Sequence, residues 1–186
     1  MAILTMHASS ARPWLMVLLL ISARCWAAVG PPSEYQVKAV FLFNFAQFVE
    51  WPARAFPDPQ APFVIGVVGK DPFGPDLDAV VRGETIDHRP LVIERYRNIG
   101  ELHNCNILFI GRSEMGELPH ILEVLKGRSI LTVTDAEDGD PGGVMIRLVN
   151  RSNRIKLRID VGAAKAGSLV ISSKLLRPAE IVGGEG

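Results

Sequence analysis

The side chains that could do chemistry are present in this sequence, but their spacing builds no catalytic centre. His88, His103 and His120 are scattered, with no (i, i+3) or (i, i+4) relation among them, which argues against a metal cluster. No serine sits in the sharp strand–turn–helix elbow of a hydrolase nucleophile. Asp138 and Asp140 resemble the start of a calcium loop, yet the downstream bidentate glutamate is missing, and a solvated acidic loop is the better reading. The turn Gly69-Lys70-Asp71-Pro72-Phe73-Gly74 lies between a strand and a helix, where backbone N–H groups could hold an anion. It lacks both the dinucleotide fingerprint and the Walker spacing. The expectation is a protein that is not an enzyme and carries neither cofactor nor metal.

One geometric argument for a binding site remains. In open α/β sheets, ligands favour the crevice at the carboxyl ends of the strands. Here that edge would be built from Gly69-Lys70, Gly111-Arg112-Ser113 and Thr134-Asp135. Lys70, Arg112 and Ser113 with Asp135 could receive a small zwitterion or anion. The alternative is that these are ordinary loop charges.

The elements that would position these residues can be read from periodicity. Pro31-Pro32 is an extended lead-in, and Ser33-Glu34-Tyr35-Gln36 has the spacing of a capping box. The helix behind it places Gln36, Asn44, Gln47 and Glu50 on one stripe, opposite Phe41, Phe45 and Phe48 with Val37, Leu42 and Val49. Trp51-Pro52 is expected to end it, because proline disfavours helical geometry in the residue before it. Lys38 reads as an (i, i+4) partner of Glu34 at the rim of the apolar face. Large aromatics such as Phe45 and Trp51 belong in the core rather than at an interface.

Strands and helices then alternate. Phe63–Gly69 is nearly continuous in apolar residues, the mark of a strand buried on both faces. Asp71-Pro72 reads as N-cap and first residue of a helix running to about Arg82. Arg89–Tyr96, Ile107–Gly111 and Ser129–Thr134 are three further strands. A short helical crossing near Asn98–His103 and a helix over Met115–Lys126 connect them. This pattern predicts a single α/β domain over residues 33–182 with a mainly parallel, doubly wound, Rossmann-like sheet. Past the acidic loop 137–143, Val144–Val149 and Arg154–Ile159 flank a polar connection and read as an antiparallel C-terminal hairpin at the sheet's edge. Arg154, Lys156 and Arg158 alternate with Ile155, Leu157 and Ile159, so one face of that strand is wet. Helical material over Val161–Ala166, a stop at Gly167 and a segment from Ser172 to about Val182 complete the chain, with Gly183–Gly186 as a frayed tail.

The amino terminus has the three parts of a secretory signal. Arg12 precedes an apolar core, Trp14–Ile21, and Cys25-Trp26-Ala27 offers small residues for cleavage after Ala27. The apolar run is far shorter than the about 20 residues a spanning helix needs, so residues 1–27 are read as cleavable and the product as not inserted in a membrane. What remains is long enough for one domain that buries roughly 70% of its unfolded surface. The chain carries 20 basic and 20 acidic side chains. Losing Arg12 and Arg24 leaves a slight acidic excess, which gives no electrostatic reason to expect nucleic acid as a partner. Cleavage also removes Cys25. Cys105 is then an unpaired thiol, buried or available for intermolecular pairing, and its place ahead of Ile107-Leu108-Phe109-Ile110 favours burial.

At Glu34–Ala39, Asn44-Phe45 and Phe48–Pro52 the sequence resembles the YfiR family of periplasmic regulators (YfiR/HmsC-like). Gly69–Gly74, Cys105–Ile110, Leu131–Asp135, Gly142–Ile146 and Ser172–Leu176 fall in the same order as that family's signature blocks. The resemblance implies a soluble protein of the periplasm. It would bind the periplasmic sensor domain of an inner-membrane diguanylate cyclase and hold it inactive, restraining cyclic-di-GMP and biofilm formation. It also implies no enzymatic activity. The family often carries further cysteines that form disulfides; here Cys105 matches a family position without a partner, so internal disulfide switching is not expected.

Two functions follow as expectations. In the first, the protein represses a membrane-bound diguanylate cyclase by protein–protein contact, through a surface that includes Arg154, Lys156, Arg158 and Lys174, where a basic stripe could meet an acidic partner. In the second, it is a periplasmic sensor that binds a small-molecule effector in the strand-end crevice. The two can coexist, and a homodimer is compatible with either.

Overall fold

In the computed structural model, residues 31–136 and 142–183 are described. The expected signal at 1–27, the acidic positions Glu137–Asp140 and the last residues of the tail lie outside them.

The first helix, α1 (Glu34–Phe48), begins as its capping box requires. The Ser33 hydroxyl accepts from the Gln36 amide at 3.2 Å, and the Gln36 side chain accepts from the Ser33 amide at 2.9 Å. The helix stops before Trp51-Pro52, earlier than proline alone would place the end. Val49 and Glu50 instead form a short strand, β1 (Val49–Glu50), whose antiparallel partner is β9 (Val170–Ile171). That pairing draws the backbone out of the helix three residues ahead of the proline.

β2 (Phe63–Val68) is buried at every position, as its unbroken apolar run demands. The helix after it, α2 (Pro75–Val81), begins later than Asp71-Pro72. The Asp71 carboxylate accepts from the Phe73 amide at 2.7 Å and so closes a turn instead of capping a helix. Gly74, at φ +52°, then precedes Pro75 at the first helical position. A two-residue strand absent from the sequence reading, β3 (Thr85–Ile86), hairpins onto β4 (Arg89–Tyr96). A single 3₁₀ turn, Ile99–Glu101, makes the crossing to β5 (Ile107–Ile110). The expected helix at 115–126 divides into a 3₁₀ stretch, Arg112–Glu117, and α3 (Leu118–Leu125), with Pro119 in the first turn of the helix. β6 (Leu131–Thr134), β7 (Ile146–Arg151), β8 (Arg154–Asp160), α4 (Val161–Ala166), β9, α5 (Ser173–Leu176) and β10 (Glu180–Val182) follow.

Eight strands form the main sheet in the order β10-β8-β7-β6-β5-β2-β4-β3. From β4 to β7 all neighbours are parallel. The α/β doubly wound architecture expected from the sequence is therefore present. Alternate residues of β2 divide the interior. Phe63, Ile65 and Val67 join α1, α2, α4 and α5 in one core, and Val64 and Val68 join α3 in the other. The hairpin β7–β8 is antiparallel as expected, turning at Ser152 (φ +50°) and Asn153 (φ +60°). It does not form the sheet's edge. β10 pairs outside it, but only along Arg158–Asp160, leaving the first half of β8 as the rim.

Candidate functional site

Chain order reverses its direction of growth across the sheet between β2 and β5, which puts the expected crevice at their carboxyl ends. The chain's own side chains fill this point. The Lys70 amide donates to Ser113 Oγ at 3.0 Å, and Ser113 Oγ in turn donates to Glu114 at 2.9 Å. Gly69 sits beneath them at φ +86°, where an added Cβ would lie 2.5 Å from Ser113 Oγ. Only glycine fits. The backbone donor that could have met an anion is thus bonded within the fold, while the Lys70 side chain is exposed.

One strand further along, the loop after β6 carries a heavily engaged carboxylate. Asp135 is 1% exposed, and its carboxylate accepts from Lys38 Nζ at 2.6 Å and from the Tyr35 hydroxyl at 3.0 Å. Arg112 closes on the same carboxylate, with Nε 3.3 Å and Nη2 3.4 Å from its two oxygens. Lys38 also pairs with Glu34, which accepts from Asn150 Nδ2 of β7 at 2.7 Å. Burial pushes the Asp135 carboxyl up, but the Lys38 hydrogen bond, the Lys38 and Arg112 charges and the Tyr35 hydrogen bond outweigh it. The net shift is downward, and Asp135 is ionised at neutral pH. Desolvation and the charge of Asp135 push the Tyr35 hydroxyl up to about 12.

Of the four crevice residues, then, the fold joins Arg112 to Asp135 and Lys70 to Ser113. Lys38 was missed at this site. The (i, i+4) pair with Glu34 expected from the sequence does exist, but the lysine has no solvent exposure. The signal lay in its position. A cation two residues after Gln36 on so apolar a helix has to turn inward, and an interior cation needs a buried anion. Asp135 is therefore an internal tether that fixes the first turns of α1 to the carboxyl edge of the sheet.

The residues expected at a partner surface fall in two places. Leu157 and Ile159 of β8 enter the core shared with α1, so Arg154, Lys156 and Arg158 project from the opposite face. Arg154 and Lys156 are exposed, whereas Arg158 Nε donates to Glu180 of β10 at 3.1 Å. Lys174 belongs to α5, whose Leu175 packs on the α1 side, and its ammonium lies 5.1 Å from the centre of the Phe48 ring. It does not extend the stripe. Cys105 is free and buried, and burial lifts its thiol to about 12. Phe45 is fully buried. Trp51 is half-buried, edge-on to Phe63 at 4.8 Å, with its indole N–H donating to the Asn106 carbonyl at 3.1 Å. Among the described residues, no group of three or more His, Cys, Asp or Glu is arranged to hold a metal, and no helix is long and apolar enough to cross a membrane.

Comparison with known families decides where this arrangement belongs. The model of the YfiR/HmsC-like family matches residues 35–180. The chain is a member of the YfiR/HmsC-like family. The match runs from the first turn of α1 to the start of β10, so it spans both cores, the Asp135 tether and the hairpin. No curated protein matches the chain.

Proposed function

We propose that this protein is exported to the periplasm through the signal at residues 1–27 and acts there without catalysis. It binds the periplasmic sensor domain of an inner-membrane diguanylate cyclase and keeps the enzyme off. The observation that carries this reading is the family match across nearly the whole described domain. The geometry agrees with a binding role, since the expected strand-end crevice is filled by Ser113 and Glu114 and its acid is committed to Lys38.

For the contact surface we propose the rim of β8. Arg154 and Lys156 are exposed there, next to strand edge that β10 leaves uncovered. An acidic partner segment would meet the two side chains and the free edge together. The test is co-purification of the protein with the periplasmic domain of a cyclase from the same genome, with cyclic-di-GMP measured in cells. Arg154→Glu/Lys156→Glu should weaken the complex about tenfold or more and raise cyclic-di-GMP, with thermal stability unchanged. Full repression by the double variant would remove the hairpin from the interface.

A further inference from the structure

Where α1 gives way to β1, the chain faces the β3–β4 hairpin across a groove of about 500 Å³. Gln47, Glu50 and Trp51 line it from the helix side, and Thr85 and Asp87 from the hairpin. Phe63 of β2 also belongs to the lining, but at 1% exposure it is out of reach. The groups open to an entrant are the exposed Gln47, Glu50 and Asp87 side chains and the half-buried Trp51 ring.

The fold fixes the backbone of both carboxylates and the ring beside them. Glu50 stands opposite Val170 in the β1–β9 pair. Asp87 occupies the two-residue turn of the hairpin, where it and His88 take φ +48° and +64°, as such turns require. The Trp51 indole N–H is spent on the Asn106 carbonyl, so the ring offers its π-surface and not a donor. Among the described residues, neither the Glu50 nor the Asp87 side chain has an ion pair or a hydrogen bond, and no lysine or arginine lines the groove. Phe56 lines it too, but Arg89 already covers that ring, its guanidinium 4.0 Å from the centre and held by the Asp58 and Ala61 carbonyls. Trp51 is therefore the aromatic surface left for an entrant.

Two carboxylates alone would be a solvated rim. An accessible indole beside them changes the chemistry, because a cation gains from the ring's quadrupole and an apolar body gains by displacing water from it. We propose that this groove binds a small organic cation, an ammonium group on an apolar body, with its charge toward Glu50 and Asp87 and its body on Trp51. The volume is in the range of small-molecule sites. A bare metal ion fits less well, since the indole supplies no ligand atom. None of these residues belongs to the Asp135 tether or to the β8 rim, so the site stands whether or not a cyclase is the partner.

Calorimetric titration of the purified protein with phenethylamine hydrochloride at neutral pH tests this, with 2-phenylethanol as an uncharged probe of nearly the same shape. Saturable heat is expected with the amine, weakening as sodium chloride is added, and binding of the alcohol should be about tenfold weaker or less. Glu50→Gln/Asp87→Asn should weaken amine binding about fivefold or more and leave the melting temperature unchanged. Asparagine is at home in the left-handed turn, so this variant keeps the hairpin. Trp51→Leu should weaken binding as well; should it fold poorly for want of the Asn106 bond, the charge variant decides alone. Equal affinity for amine and alcohol, no saturable binding of the amine at millimolar concentration, or wild-type affinity in Glu50→Gln/Asp87→Asn would overturn the proposal.

Discussion

Lys38 is a fully buried cation that joins two carboxylates. Its ammonium, itself without solvent exposure, meets the buried Asp135 and the partly exposed Glu34 and lies 4.6 Å from the centre of the Tyr35 ring. Removing one partner of a buried pair leaves the other charge in an apolar surround, which is the expensive outcome. Lys38→Met should therefore cost about 3 kcal/mol in urea unfolding, at the low end for such sites because Arg112 and Tyr35 still reach the carboxylate. Adding Asp135→Asn should cost less than the two single losses combined, by about 1 kcal/mol or more. Additive losses would mean that the two side chains do not depend on each other. The sequence shows a lysine on an apolar helix and an aspartate after a strand. Their meeting was not legible, because it depends on how α1 lies over the sheet, a contact between residues nearly a hundred positions apart.

At the scale of elements, local signals were read well where local physics decides. The capping box, the four strands β2, β4, β5 and β6 and the β7–β8 hairpin follow from spacing alone. Ser33→Ala should lower stability by about 1 kcal/mol, read from the midpoint of chemical unfolding, since both reciprocal bonds of the cap are present. Besides the two-residue β3, what escaped were elements formed by a distant partner. β1 exists because Val49 and Glu50 find Ile171 and Val170, and β10 exists because Arg158–Asp160 offer an edge. Neither two- nor three-residue strand carries periodicity enough to be seen. The start of α2 was misplaced for a different reason, since an aspartate before a proline can cap a helix or close a turn. Here the left-handed Gly74 and the following Pro75 take over the start.

For the molecule as a whole, the carboxylates that hold elements together set the response to acid. Asp135, Glu34 and Asp78 all sit below the ordinary carboxylate range. Burial is outweighed at Asp135 by Lys38 and Arg112, a Lys38 hydrogen bond acts at Glu34, and an Arg95 hydrogen bond acts at Asp78. A depressed folded value means that the folded state binds fewer protons than the unfolded chain. The stabilisation is thus complete above the unfolded values near pH 4 and is lost as pH falls through the folded ones. Stability should be level from pH 7 to about pH 5 and drop below that. Asp135→Asn should flatten the drop, because Asp135 is the fully buried member of the three; an unchanged slope would place the acid response elsewhere.

Cys105 lies just ahead of β5, and the folded chain withholds its thiol from solvent and from ionisation alike. A sulfur that reacts only when its surroundings part is a counter of partings. With excess alkylating reagent, the labelling rate at Cys105 should follow the opening equilibrium of the β5 entry, slowing about tenfold for each 1.4 kcal/mol gained there. Covalent pairs of this chain on a non-reducing gel would likewise record molecules that had opened, not molecules that had docked.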